Sequence, residues 1–231
     1  RSQDRGACRV FSLYMGAASA LFALGVAAGD APWACAPLIA AILIRKGIVP
    51  LHSWMPSFFE KARPGGMILF TVPQVGTYCA ARLLIPSAPP EALRLLGALS
   101  LLTAVYAAAL AMVQKDARRM FGFLFMSQSA VVLAGLDCGN VHGLAGGLAL
   151  WASSILSLAG FGVVLRALEY RRGNLSLARF HGGYERMQVL AVSFLILGLA
   201  CVGIPGTLGF VAEELLLDGE APQDRNLGQV P

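Results

Sequence analysis

Charge is what this chain has least of: 13% of its 231 residues are charged and 57% are hydrophobic. A soluble domain carries about 25% charged residues. The shortage, with a mean hydropathy of +0.67, excludes an ordinary globular domain and indicates a polytopic membrane protein. Five cysteines, Cys8, Cys35, Cys79, Cys138 and Cys201, are dispersed without a Cys-x-x-Cys pair. Such spacing argues against zinc or iron–sulfur ligation and leaves them as packing residues. There is no glycine-rich phosphate loop and no flavin fingerprint, so no cofactor, metal site or redox centre is expected on the chain. The excess of five positive charges does not collect into one face or block, which speaks against a nucleic-acid partner. The basic residues fall between apolar segments, as in membrane loops. No signal peptide of the usual charged, apolar, small-residue order is visible. From the opening at Arg1 and the polar tail over 218–231, the chain is expected to be a piece of a longer membrane protein.

Apolar runs of about 20 residues suit a bilayer crossing. Seven such segments are expected, over 9–29, 33–59, 67–85, 92–113, 120–136, 144–168 and 187–217. None shows the alternation of a strand. The expected fold is therefore all-α, a membrane bundle of about seven helices over 9–217, with 1–8 as a cytoplasmic start. Two helices are expected to be discontinuous, the second around Gly47 and Pro50 and the seventh around Pro205 and Gly206, because glycine and proline punctuate helices. Lysine and arginine gather in cytoplasmic loops. With seven crossings, thirteen of them fall on one side, and only Arg82, Arg94 and Arg225 on the other. That split puts the first residue in the cytoplasm, and the cell inner membrane is the expected location. Asp116, Arg118 and Arg119 read as loop residues that set topology only, and Glu60 and Lys61 as a solvated pair, with a lateral contact to a neighbouring subunit as the other reading.

The chain is organised around the stretch from Pro32 to Pro64. Its apolar run Trp33 to Ile44 would reach only about 18 Å as a helix, short of a bilayer core of about 30 Å. Either the helix stops there, with Arg45 and Lys46 as an interfacial anchor, or it carries both cations into the membrane. The pair belongs to neither side of the loop-charge split, which favours the second reading. Non-helical backbone at such depth is tolerated only beside protein or a watery cavity, and ionisable groups there mark ion pathways.

The segment Arg45-Lys46-Gly47-Ile48-Val49-Pro50-Leu51-His52-Ser53-Trp54-Met55-Pro56 resembles the broken-helix signature of the antiporter-like subunits of respiratory complex I, the NADH:quinone oxidoreductase. The module is shared with Mrp-type antiporters and membrane-bound hydrogenases. Two further stretches agree in order and spacing. Gln114 to Arg119, followed by Phe125-Met126-Ser127-Gln128-Ser129, is similar to the family's Asp-x-Lys-Arg loop and Ser-x-Ser-Gln helix. Gly203-Ile204-Pro205-Gly206-Thr207-Leu208-Gly209-Phe210-Val211-Ala212-Glu213 is similar to its second broken helix, in the variant ending in glutamate. The resemblance implies an inverted-repeat bundle whose interrupted helices meet a watery axis, as in transporters generally. It also implies protons moving along buried lysine, histidine and glutamate groups, within a complex of other membrane subunits embedded in lipid.

A carrier must reach both protonation states. Lys46 can do so; Arg45 cannot, because its guanidinium stays protonated. Yet by the family spacing it is Arg45 that occupies the usual lysine position. Two readings follow: Lys46 carries with Arg45 as its electrostatic tuner, or the pair is a fixed charge that only gates. Gln74, Ser153 and Ser157 stand where the family often shows lysine or histidine; they can order water but store no proton near neutral pH. As an alternative, serines in membrane helices bond to backbone or neighbours. Glu213 reads as an exit-side carboxylate near the far end of the last helix, or as a solvated acidic end. His52 and Trp54 are expected to support the break, with interfacial anchoring the other reading for Trp54. Two functions stay open: an ion-translocating subunit, with protons ahead of sodium, of a redox-driven or Mrp-type complex, and a scaffold subunit that keeps the fold without conducting.

Overall fold

The computed structural model describes residues 2–29, 31, 33–62, 64–71, 74–137, 141–178 and 183–220. Cys138, the loop cations Arg1, Arg63, Arg179 and Arg225, and the tail beyond 220 lie outside the described residues. Among those described the structure is helical, with no strand and one isolated bridge, between Asp116 and Ser176. In chain order the helices are α1 (Ser2–Ala27), α2 (Cys35–Lys46), α3 (Trp54–Lys61), α4 (Pro64–Thr71) and α5 (Val75–Cys79). They continue as α6 (Pro90–Met112), α7 (Ala117–Asp137), α8 (Val141–Arg172), α9 (Gly183–Arg186), α10 (Gln188–Cys201) and α11 (Leu208–Glu220).

Four stretches, Cys8–Ala27, Pro90–Met112, Ala117–Leu136 and His142–Arg172, are long and apolar enough to cross a bilayer unbroken. Over the other three segments expected to cross, the described residues form two shorter helices each: α2 and α3, α4 and α5, and α10 and α11. The middle one departs from expectation, because 67–85 reads as one continuous helix. It is interrupted before α5, where Gln74 adopts left-handed φ 37° and ψ 47°. Pro73 precedes Gln74 in the sequence, and proline disfavours the interior of a helix. Beyond α5 the chain widens into a π-helical turn, Ala80–Leu84, where the Ile85 N–H bonds to the Ala80 carbonyl at 3.0 Å.

Helix α7 occupies the centre. It packs on α6, α8 and α3, and it is the most buried of the four long spans, whereas α1 is the least. The α6 face against it carries Ser100, Thr103, Ala104 and Ala107, and small residues let helix backbones approach closely in lipid. On its other side an aromatic cluster of Phe59, Phe121, Phe125 and Phe161 closes under α3, with ring centroids 5.5 to 5.8 Å apart. Such pairs contribute about 0.5–1.5 kcal/mol each beyond area burial. Helix α11 nests against α8 and α7 at Gly135, Gly146 and Gly147; a Cβ on Gly146 would stand 2.8 Å from the Leu216 nitrogen. Large apolar side chains such as Leu13, Val105, Met112 and Val189 point outward, toward lipid in a membrane bundle.

The basic loop ahead of α7 does more than set topology. Asp116 Oδ1 accepts the backbone N–H groups of Arg118 and Arg119 at 2.9 and 3.1 Å, an N-cap that starts α7 at Ala117 instead of Met120. Arg118 forks onto Glu169 of α8 at 2.6 and 2.8 Å. Its Nη1 also donates to the carbonyls of Glu60 and Ala62 at 3.4 and 3.3 Å. One guanidinium thereby joins the ends of α3, α7 and α8, while Glu60 lies 3.9 Å from Arg119.

Candidate functional site

The first interruption ends α2 at Lys46 because Gly47 takes φ 68°, a conformation that only glycine adopts without strain. The Gly47 N–H reaches the Ile44 carbonyl at 3.2 Å and the Ile48 N–H reaches Leu43 at 3.0 Å, the paired bonds of a Schellman motif. Two side chains serve backbone groups released by the break. Trp54 Nε1 donates to the Ile44 carbonyl at 2.9 Å, and Thr103 Oγ1 accepts the Val49 N–H at 3.1 Å. Trp54 is 1% exposed, so it braces the break and is no interfacial anchor. The Val49–Pro50 peptide is cis. His52 is half-buried and lies edge-on to Tyr106 of α6, with Nε2 3.4 Å from the phenol oxygen.

Lys46 points inward. It is 3% exposed, and its Nζ donates to the Ser129 carbonyl of α7 at 2.8 Å. As the last residue of α2 it sits at the negative end of a helix dipole, which favours an ammonium there. Gly76 of α5 makes room for its stem: a Cβ would come within 3.0 Å of Lys46 Cγ. A cavity of about 20 Å³ lies between Arg45, Lys46, Phe70, Gln74, Gly76 and Ser129, enough for about one water. Arg45 shares this cavity with Lys46. Its guanidinium carbon stands 5.8 Å from the centre of the Phe70 ring, a cation–π distance. It also lines a wider crevice of about 250 Å³ with Ala18 and Phe22 of α1.

From that cavity a polar row leads toward the second interruption. Gln74 Nε2 donates to Ser154 Oγ at 3.1 Å, and Thr77 Oγ1 donates to Gln74 Oε1 at 3.3 Å. Ser157 Oγ donates to the Ser153 carbonyl at 2.9 Å, and Ser153 Oγ stands 3.3 Å from where a Cβ on Gly209 would lie. All three serines are buried. The Gln74 amide thus tethers α5 to α8, and Ser153 abuts the first turn of α11. This row is built from an amide and hydroxyls, which orient protons but do not store them near neutral pH.

The second interruption repeats the local chemistry of the first. Gly203 takes φ 74°, its N–H bonds to the Ala200 carbonyl at 3.3 Å, and the Ile204 N–H bonds to Leu199 at 3.3 Å. The residue that ends the helix is therefore Gly203; Pro205 and Gly206, the latter at φ 98°, follow it in the linking turn. Glu213 is not at the far end of its helix. It lies within α11, half-buried, and its carboxylate reaches back so far that a Cβ on Gly203 would meet Oε2 at 2.6 Å. Helix side chains tilt toward the N-terminus of their helix, and that tilt carries the carboxylate to the break.

Five residues of the site, Ser129, Thr103, Gly76, Gly203 and Ser154, carry no role of their own in the sequence reading. A signal for Gly203 is present, since Gly-Ile precedes a proline at both breaks. Ser129 contributes a backbone carbonyl, which no residue identity announces.

A family model described as NADH:quinone oxidoreductase/Mrp antiporter, transmembrane, matches residues 9–225. NADH-quinone oxidoreductase subunit 13 of Thermus thermophilus is 34% identical over 192 residues, covering 81% of this chain and 41% of that protein. A chain of respiratory complex I from Thermus thermophilus superposes with a TM-score of 0.85 at 30% identity, over 94% of this chain and 52% of that one. A chain of the Mrp complex from Dietzia sp. shares the fold, with a TM-score of 0.84 at 21% identity over 93% of this chain and 45% of its own. The chain spans about two fifths of the length of the curated relative and about half of the solved ones.

Proposed function

The chain belongs to the NADH:quinone oxidoreductase/Mrp antiporter transmembrane family, and we propose that it acts as the ion-translocating membrane subunit of a redox-driven complex, with protons as the ion. Lys46 is the carrier. The observation that carries this reading is its ammonium, held by the Ser129 carbonyl at 2.8 Å inside the bundle and beside a cavity with room for one water. A lysine so placed shifts between charged and neutral forms as its surroundings change, because desolvation disfavours the charge and a nearby carboxylate restores it. Arg45, permanently charged and lining both the small cavity and the wider crevice, tunes that balance. Gln74, Ser154, Ser157 and Ser153 align water toward Glu213, and His52 braces the break from the α6 side. Other membrane subunits supply the driving reaction, and the distribution of loop charges supports a cytoplasmic start of the chain and a cell inner membrane as its location.

The test is Lys46→Met in the full-length protein within its complex, with proton uptake followed in inside-out vesicles. Coupled uptake is lost while electron transfer in the partners remains; unchanged uptake removes Lys46 as carrier. A second reading is favoured by one specific observation, the amide and hydroxyl makeup of the row. In that reading the subunit holds the complex together without conducting. Lys46→Met then leaves transport intact, and deletion of the subunit dissociates its partners.

A further inference from the structure

We propose that the cleft at the end of α8 holds the phosphate headgroup of an anionic phospholipid. This goes beyond the transport reading and does not depend on it. Helix α8 has 32 residues and so is about 48 Å long, against a hydrocarbon core of about 30 Å. Its final turns therefore rise through the headgroup layer. There a shallow cleft of about 710 Å³ opens between Val163, Arg166, Tyr170 and Arg171 of α8 and Arg118 of α7. The residues are ordered along the helix as a lipid is ordered along the membrane normal. Val163, 56% exposed, offers an apolar step at acyl-chain level. Arg166 is one turn higher, and Tyr170, 93% exposed, is one turn higher again, at the level where aromatic side chains prefer the interface.

The cleft is also electrostatically unbalanced. Its one carboxylate, Glu169, is committed to Arg118 at 2.6 Å. Among the described residues neither Arg166 nor Arg171 forms an ion pair, so two guanidinium groups face the opening without a counter-charge. Arg166 also borders the glycine-rich first turn of α4: its Nη1 stands 3.6 Å from where a Cβ on Gly65 would lie. A guanidinium donates charge-assisted N–H bonds to phosphate oxygens, and a basic side chain near an anionic leaflet gains from its negative surface potential.

The test uses the full-length protein extracted with its membrane partners, delipidated and titrated with phosphatidylglycerol or phosphatidylcholine, with bound lipid counted by native mass spectrometry. The parent protein retains phosphatidylglycerol in preference to phosphatidylcholine. Arg166→Gln with Arg171→Gln weakens that retention about 30-fold, from the gain expected for two interfacial arginines. Arg166→Lys with Arg171→Lys keeps the lipid, and Arg94→Gln, in the first turns of α6, changes nothing. Equal retention of the two lipids would overturn the proposal, as would a glutamine pair that binds like the parent. Loss of lipid in the lysine pair, or its displacement by millimolar inorganic phosphate, would overturn it too, the first by making the effect one of packing and the second by making the site one for a free anion.

Discussion

Removing Arg118 should cost more than removing the charge it neutralises. The Arg118 side chain is 20% exposed and that of Glu169 8%, and the two charge-assisted bonds between them measure 2.6 and 2.8 Å. Arg118→Ala leaves the Glu169 carboxylate buried without a partner. Breaking a buried pair in this way costs about 3–5 kcal/mol, and partial water access to Arg118 puts this case near about 3 kcal/mol. The two longer bonds to Glu60 and Ala62 go with it, so the end of α3 comes loose as well. Glu169→Gln removes the charge, keeps a carbonyl acceptor and leaves Arg118 able to turn to solvent; its cost is about 1–2 kcal/mol. The double variant has no stranded carboxylate, so it should be as stable as Arg118→Ala or better, with a coupling of about 2 kcal/mol, inside the range for contacting pairs. The assay is the midpoint of thermal loss of monodisperse protein in one detergent, measured for all four members of the cycle. The expected order is parent, Glu169→Gln, double variant, Arg118→Ala. Strictly additive losses would refute the reasoning, because they would mean that the two side chains do not sense each other.

Two more predictions concern the axis between the breaks. Gly203→Ala should lower the same thermal midpoint more than Gly206→Ala. Both carry positive φ, but the new methyl at Gly203 meets the Glu213 carboxylate at 2.6 Å, whereas nothing lies within 4 Å of Gly206. Equal midpoints would show that the flexible Glu213 side chain turns aside from the new methyl at little cost. Gln74→Lys places a group that can store a proton beside the Lys46 cavity, and proton uptake in vesicles should rise if the amide and hydroxyl row limits transfer. Uptake that is unchanged in a correctly assembled variant assigns the limiting step elsewhere.

Much of the fold is legible from the chain because the signals are chemical and local. Hydropathy sets the long spans, and Gly47 ends α2 because an L-side chain resists the left-handed backbone it adopts. What is not legible depends on distant partners. The interruption before α5 rests on Gln74 accepting a left-handed conformation, and its side chain is tied down by Ser154 and Thr77, residues that no reading of the local sequence connects. The same holds for Arg118. Its run of polar neighbours reads as a loop, and only the approach of Glu169, far along the chain on α8, turns it into a clamp. At the site, the residue types at Lys46 and Glu213 are visible, but the division of labour between Arg45 and Lys46 is not. Adjacent positions on a helix point about 100° apart, and the packing of α5 and α7 decides which of them enters the bundle.

The two interruptions complement each other in a way that helix geometry alone explains. A continuous helix offers its dipole ends only at the membrane surfaces, whereas a broken one brings a negative end and a positive end to the depth of the break. Lys46 takes the C-terminal end of α2, where a cation is favoured. Glu213 belongs to the half-helix that follows the second break, and its backward tilt carries the carboxylate toward the N-terminal end of α11, where an anion is favoured. Each side chain is thus aimed at a helix end whose dipole favours its charged form. A fixed ion pair would lock both groups in their charged forms. Dipole ends are weaker, about 0.3–1 kcal/mol at exposed sites and up to about 2 kcal/mol where partly buried. In the proposed carrier, an interaction of that size favours the charged form without fixing it, so the charge is lost when a neighbouring group moves, which a structural ion pair would not allow.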